Sequence, residues 1–189
     1  MEFIKPDFDE PLDLEPLLRG CRNEHRLKGV FFDSSQKGAA RLGLATSPKR
    51  YMAFKDYPSE EYVRVVGGWV TAPGLPRTPR ALLRALGQDA FQAFRSTIVG
   101  RVTLATAGDT LHDLLNVAGR AYSLSIGPGT LTSRVGENDA ELQLRNIPTF
   151  ADAYHVGVFE GVLAAYRTKG TIRMRRYSPV NLDLLIEWE

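Results

Sequence analysis

Apolar residues recur every three or four positions through the middle of the chain, which is the period of an α-helix with one buried face. A proline and two glutamates open such a run near position 58, and its spaced valines predict a helix over 59–71. Thr78 stands before a proline like an N-cap residue, and the apolar run after it predicts one long helix over 79–101. Asp109 is expected to cap a third helix.

The last third of the chain changes from the helical period to strict alternation. Residues 131–135 and 141–145 alternate apolar and polar side chains after a Gly-Pro-Gly turn signal, which predicts two antiparallel strands. The segment 151–167 returns to helical spacing, and 171–177 and 181–189 predict a final hairpin. This order predicts an α+β fold, in which a helical N-terminal part packs on a C-terminal antiparallel sheet of about four strands with one inserted helix.

One stripe of the helix predicted over 151–167 carries almost no side chains. Its members recur every four residues: Ala153, Gly157, Gly161 and Ala165. Such a stripe usually allows the backbone of another element to approach closely. The alternative is that the stripe forms the floor of a cavity.

The arginines near the C-terminus have an ordinary structural interpretation. Arg173 and Arg175 alternate with apolar residues, which places them on the outer face of a strand. Pairing across strands with Asp183 and Glu187 is the favoured prediction.

Composition and charge limit the class of protein. The chain has 189 residues, of which 43% are hydrophobic and 24% charged, with net charge +2, as expected of an ordinary globular domain. The single cysteine, Cys21, excludes an intrachain disulfide and fits a reducing compartment. The first residues are acidic rather than basic, and the uncharged stretch 121–133 is too short to cross a bilayer. We therefore expect a cytoplasmic protein without membrane insertion.

Charge is distributed unevenly near the N-terminus. Residues 1–16 hold six acidic residues against one lysine, whereas residues 17–50 hold eight basic residues against two acidic ones. The expectation is that the acidic residues lie over the basic flank. The predicted organisation is an acidic-then-basic N-terminal arm over 1–27 and a single domain over 28–189. Nucleic-acid binding is disfavoured because the basic residues are not interleaved with aromatic ones.

The search for catalytic chemistry is negative, and no enzyme is predicted. The chain lacks a G-x-S-x-G elbow, an H-E-x-x-H helix and a P-loop. The S-x-x-K match at 34–37 lacks its companion motifs. Nothing in the spacing of His25, His112 and His155 supports a zinc site, and Cys21 with His25 makes only half of one.

Taken in order, several individually weak motifs resemble those of the haem nitric oxide/oxygen-binding domains, the sensor family related to vinyl-reductase-type ligand-binding domains. The similar segments are 27–32, 57–62, 82–91, 109–115 and 150–166. The chain is also similar to a myxobacterium-enriched branch of proteins sharing the L-x-x-L-G-x-x-A-F-x-x-F core. The resemblance implies a sensor with a ligand pocket between helices and sheet, and it places His112 where the family has its axial haem ligand.

The sequence departs from that family at one motif. Haem-binding members hold the porphyrin propionates with Tyr-x-Ser-x-Arg before the late helix, where this chain has Leu-Arg-Asn-Ile-Pro over 144–148. Arg145 or Arg120 are the available substitutes. The sequence therefore does not assign a cofactor, and haem is one candidate.

The favoured hypothesis is a non-enzymatic sensor or adaptor domain that binds a small apolar ligand, a protein partner or both. The candidate lining residues are large, apolar and predicted to face inward: Phe91, Phe94, Ile98, Leu111, Leu115, Phe159 and Leu163. Ordinary core packing explains the same residues. Two alternatives remain, a haem-based gas sensor with His112 as axial ligand and an interaction subunit with a filled core. A homodimer is compatible with each of them.

Overall fold

The computed structural model describes residues 2–125 and 127–189, and it confirms the predicted α+β class. The helices are α1 (Glu15–Gly20), α2 (Gly29–Arg41), α3 (Ser59–Val70), α4 (Pro79–Ser96), α5 (Ile98–Ala107), α6 (Leu111–Ser125) and α7 (Tyr154–Ala165). The strands are β1 (Arg26–Lys28), β2 (Asp56–Pro58), β3 (Thr130–Val135), β4 (Asp139–Arg145), β5 (Gly170–Ser178) and β6 (Asn181–Trp188).

The C-terminal strands form an antiparallel sheet in the order β3-β4-β6-β5, and β1 pairs with β2 in a separate ribbon. Leu142 of β4 lies opposite Leu184 of β6, and both side chains are fully buried. Gln143, between two buried leucines, is exposed. The predicted alternation is therefore confirmed, and it gives the sheet one face that packs on the helices.

The predicted pairing of the C-terminal arginines is also confirmed. Arg173 makes bidentate contacts with Glu187, and Arg175 donates to Asp183 at 2.7 Å. Asp183 also accepts from Arg145 at 2.6 Å and from the Tyr177 hydroxyl at 2.7 Å, although it is only 1% exposed. Burial raises the pKa of Asp183, but the bonds from Tyr177, Arg175 and Arg145 outweigh it and leave that pKa below its ordinary value.

Two helix boundaries differ from the prediction because threonine side chains decide them. The single helix expected over 79–101 is broken at Thr97, whose backbone is extended and whose Oγ1 accepts from the Gly100 N–H at 2.9 Å. The third helix is capped by Thr110, not Asp109, since Thr110 Oγ1 accepts from the Asp113 N–H at 3.1 Å. Each threonine satisfies an N–H that has no carbonyl partner in the first helical turn.

The N-terminal arm follows the sheet rather than the basic flank. Ile4 exchanges two backbone hydrogen bonds with Met174 of the edge strand β5, at 2.9 and 2.7 Å. Glu10 then pairs with Arg176 at 2.7 Å and lies 3.8 Å from Arg80. The described charged partners of Glu10 are therefore basic side chains of α4 and β5 rather than those of the basic flank.

A buried ion-pair cluster fastens the turn that precedes α7. Asp152, 4% exposed, accepts from Arg80 of α4 at 2.5 Å and from Arg176 of β5 at 3.0 Å. Together with Glu10 the cluster holds two positive and two negative charges, so each buried charge has an opposite partner. It ties the arm, α4, β5 and the start of α7 to one another.

The small-residue stripe of α7 lies directly against α4, as predicted. A Cβ built on Gly157 would lie 2.0 Å from the carbonyl oxygen of Arg84, and one on Gly161 would lie 2.4 Å from that of Gln88. On the opposite side, a Cβ on Gly87 of α4 would lie 2.0 Å from the carbonyl oxygen of Tyr154. The two backbones are therefore in contact, and no side chain larger than hydrogen fits between them.

Gly157→Ala should lower the free energy of unfolding by about 3 kcal/mol or more, because the added methyl group meets backbone that can move only if the helices separate. Gly68→Ala in α3 is the matched control, since a Cβ there meets nothing within 4 Å. The control should gain about 0.5–1 kcal/mol from helix propensity. Urea unfolding of both variants measures the difference, and equal stabilities would contradict the close contact.

Candidate functional site

The described part of the chain forms a partly open cavity of about 130 Å³ between the helices and the sheet. Its wall comes from α2, α4, α6, α7 and β3, and it is almost entirely apolar. The lining residues are Phe31, Ala90, Phe91, Phe94, Leu114, Leu115, Ala118, Ala121, Tyr122, Leu131, Tyr154, His155, Val158, Phe159 and Val162. For comparison, an engineered apolar cavity of about 150 Å³ binds benzene.

Backbone contacts position the walls of this cavity. The contact between α4 and α7 is close, and Phe91 of α4 and Phe159 of α7 both line the cavity. On the third side, a Cβ on Gly119 would lie 2.5 Å from the carbonyl oxygen of Leu131, so α6 lies directly against β3. The cavity is the space between the α4–α7 pair and the α6–β3 pair.

The structure brings together four of the seven residues proposed from sequence. Those that line the cavity are Phe91, Phe94, Leu115 and Phe159. Leu111 and Leu163 are buried in the same core but lie outside the cavity wall. The prediction that Ile98 faces inward is wrong. Ile98 begins α5 after the break at Thr97, and it is 60% exposed.

Two of the three polar side chains in the wall already have hydrogen-bond partners. The Tyr122 hydroxyl donates to the Pro128 carbonyl at 2.9 Å. The Tyr154 hydroxyl bonds with Tyr62 and Ser35, which are themselves 2.7 Å apart. Both hydroxyls therefore already have hydrogen-bond partners within the protein.

The third polar side chain is His155. It is 4% exposed, and within the described residues neither ring nitrogen makes a short, well-aligned hydrogen bond, although backbone groups of Phe150 and Thr149 lie close enough to act on the ring. Its ring lies between those of Tyr122 and Tyr154, with centroids 6.0 and 5.7 Å away. Burial with so little hydrogen bonding makes the charged form of the imidazole costly.

The sequence analysis treated His155 only as a candidate zinc ligand and did not predict that it lines the cavity. One signal was available, because His155 and Glu160 are the only strongly polar residues in the apolar run of α7. Arg84 donates a hydrogen bond to Glu160 at 2.6 Å. That ion pair explains the glutamate but not the histidine.

Burial governs the protonation of His155. Desolvation lowers its pKa to about 4, while the backbone groups of Phe150 and Thr149 and the Asp152 carboxylate raise it in part. The imidazole is therefore neutral at physiological pH, with one nitrogen able to donate a hydrogen bond and the other able to accept one.

His112, the candidate haem ligand, lies outside the cavity. Its side chain is exposed at the start of α6, and its Nδ1 lies 3.1 Å from the amide nitrogen of Asn116. The residues that line the cavity do not include it.

The described residues do not fit a haem group. A porphyrin of four pyrrole rings is several times larger than benzene, whereas the cavity measures about 130 Å³. None of the described lining residues is cationic, so the two propionates would have no charged partner. Arg145 is bonded to Asp183 and to the Leu182 carbonyl, and Arg120 is exposed and absent from the wall.

Residues 2–125 and 127–189 lack two further features. No group of three or more histidine, cysteine, aspartate or glutamate side chains is arranged to hold a metal ion. No described helix combines the length and the apolar character needed to cross a membrane.

The buried histidine should make stability depend on pH. The folded protein holds the pKa of His155 near 4, below the ordinary 6.5, so the unfolded chain takes up a proton first as pH falls. Wild type should therefore lose about 3 kcal/mol more than His155→Gln between pH 7 and pH 4. Urea unfolding at both pH values measures this, and parallel losses would contradict a buried neutral imidazole.

Comparisons with known proteins place the chain in a family and a fold. A family described as "Protein of unknown function (DUF2378)" matches residues 21–189. Comparison with the curated proteins gives no match.

Among solved structures, H-NOX proteins are similar in fold. A triple-substitution variant of the S. oneidensis H-NOX protein in the Fe(II) state is 16% identical, with a TM-score of 0.65 over 86% of this chain and 96% of that one. The unliganded Fe(II) H-NOX protein from K. algicida is 10% identical, with a TM-score of 0.64 over 86% and 97%. The resemblance seen in the sequence is confirmed as a likeness of fold, and the link to a myxobacterial branch stays a prediction. The chain therefore belongs to the DUF2378 family and adopts an H-NOX-like α+β fold.

Proposed function

We propose that the protein is a non-enzymatic sensor or adaptor domain that binds a small apolar ligand in the cavity between α4, α6, α7 and the sheet. The observation that carries the proposal is the cavity itself, whose wall is apolar and comes from five separate elements. Such a pocket with few polar groups is the usual form of a small-molecule site.

The apolar wall favours an apolar ligand over water, because a bound ligand removes that surface from water. Binding to the folded protein would also stabilise it, which gives binding and stability a common physical basis.

The location of the cavity suggests how occupancy could be transmitted. Its α6 wall is joined to α5, whose Ile98 and Val102 are both 60% exposed. A ligand that draws α6 towards the α4–α7 pair would reposition this apolar surface, which could in turn contact a protein partner.

The H-NOX relatives supply the second candidate function. Structures of those proteins are described in Fe(II) states, and one from S. oneidensis in the Fe(II)NO state. The shared fold favours sensing as a general role. Haem-based sensing through His112 is not favoured, because the described side chains do not fit the group.

Toluene should raise the melting temperature of the wild-type protein, because it matches the volume and the apolar wall of the cavity. Ala118→Leu on the α6 wall should fill the space and abolish that rise. Ala164→Leu on the exposed side of α7 is the matched control and should keep it. No shift in wild type, together with a bare mass in native mass spectrometry, would favour a filled core.

Protein purified from haem-supplemented cells should show no Soret band. The absorbance spectrum of wild type measures this directly, with His112→Ala alongside. A Soret band that disappears in His112→Ala would replace the proposed function with haem-based sensing.

A further inference from the structure

We infer that the turn over 52–55 docks on the surface of a membrane that carries anionic phospholipids, with the side chains of Met52 and Phe54 entering its interfacial layer. The turn is not part of the cavity wall, so this surface goes beyond the proposed function and does not depend on a ligand. The contact is peripheral, because the two side chains reach only the boundary between headgroups and acyl chains.

Two large apolar side chains of the turn face solvent. Phe54 is 73% exposed and Met52 is 68% exposed, which is more than any other large hydrophobic side chain that the structure describes. Ala53, between them, is exposed as well. The three residues therefore form a small apolar patch, and removing that patch from water is favourable.

The backbone of the turn is fixed against the start of α2. The Gly29 N–H donates to the Lys55 carbonyl at 2.8 Å, and the Val30 N–H donates to the Ala53 carbonyl at 3.1 Å. These bonds satisfy two N–H groups of the first helical turn. A Cβ on Gly29 would lie 2.1 Å from the carbonyl oxygen of Met52, so the two backbones are in contact. The fold itself therefore holds the apolar patch in its exposed position.

Basic side chains flank the apolar patch. Residues 45–55 include three basic residues and no acidic one. Arg50 and Lys55 are exposed, and within the described residues neither has an acidic partner, whereas Lys49 is held by an acidic side chain of α3. Asp56, the next acidic residue, is already in an ion pair. Free cations beside an apolar patch complement a layer of anionic headgroups above acyl chains.

The shape of the turn favours a bilayer over a protein or a nucleic acid. A specific protein interface buries about 800 Å² on each partner. A fully exposed aromatic side chain supplies only about 150–250 Å², so two side chains fall well short of that area. A bilayer requires no matched surface. Base stacking is disfavoured because Tyr51 is buried, which leaves Phe54 as the exposed ring of this segment.

Co-sedimentation of the full chain with vesicles tests this surface. The vesicles are phosphatidylcholine alone and phosphatidylcholine with roughly one-third phosphatidylserine. We expect wild type to bind the anionic vesicles about tenfold more tightly than the neutral ones, because Arg50 and Lys55 are attracted to phosphatidylserine.

Two substitutions separate the apolar contribution from the charged one. Phe54→Ser should weaken binding to the anionic vesicles about tenfold, because the ring no longer leaves water. Arg50→Gln should weaken it about fivefold. Ile98→Ser on α5 and Arg134→Gln on β3 are the matched controls, since both residues are exposed and lie outside the turn. The controls should bind like wild type, and equal melting temperatures verify that each variant folds.

Fluorescence gives a second readout that reports the position of the turn. In Phe54→Trp, phospholipids with brominated acyl chains should quench the new indole when the protein binds anionic vesicles. In Ile98→Trp, quenching should not exceed the background from Trp69 and Trp188.

Three results would overturn the inference. If wild type binds neither vesicle, the membrane is wrong and a protein becomes the favoured partner of the turn. If Phe54→Ser binds as tightly as wild type, the attraction is a general effect of charge and the turn does not enter the bilayer. If neutral and anionic vesicles bind equally, the assignment to anionic phospholipids is wrong. The cavity proposal is tested separately by toluene.

Discussion

The backbone contact between α4 and α7 is the constraint on which the site depends. Gly87, Gly157 and Gly161 leave no side chain between the helices, so α7 enters the fold at a fixed depth and rotation. That rotation points Phe159 and His155 into the cavity wall. A larger residue in the stripe would separate the helices and change the shape of the cavity before it changed any lining side chain.

Ion pairs stabilise the start of α7, next to the cavity. The cluster around Asp152 fixes the turn before α7 with paired buried charges, while the cavity a few residues later contains no described charge. Keeping the charges paired at the helix start leaves His155 in an apolar environment, where its neutral form is favoured.

The H-NOX-like fold and the chemistry of its site are separate properties of this chain. The overall fold is similar to that of proteins described with Fe(II), yet the cavity is smaller than a porphyrin, and His112 is exposed. A fold fixes where a pocket can form, whereas the side chains in its wall decide what can occupy it. An apolar ligand in place of haem is consistent with both observations.

The sequence by itself determined those features that depend on the residue pattern within a single helix or strand. Alternation predicted the strands and the pairing of Arg173 and Arg175 with Asp183 and Glu187, and the spacing of small residues predicted that another backbone approaches α7, because periodicity within one element carries these signals. That the neighbour is α4 was decided by the tertiary structure. The break at Thr97 was missed because a long apolar period outweighed one side-chain cap. Only the tertiary structure decided the site: a cavity is the space left between elements distant in sequence. For the same reason, whether His155 has a partner depends on groups that no local pattern brings beside it.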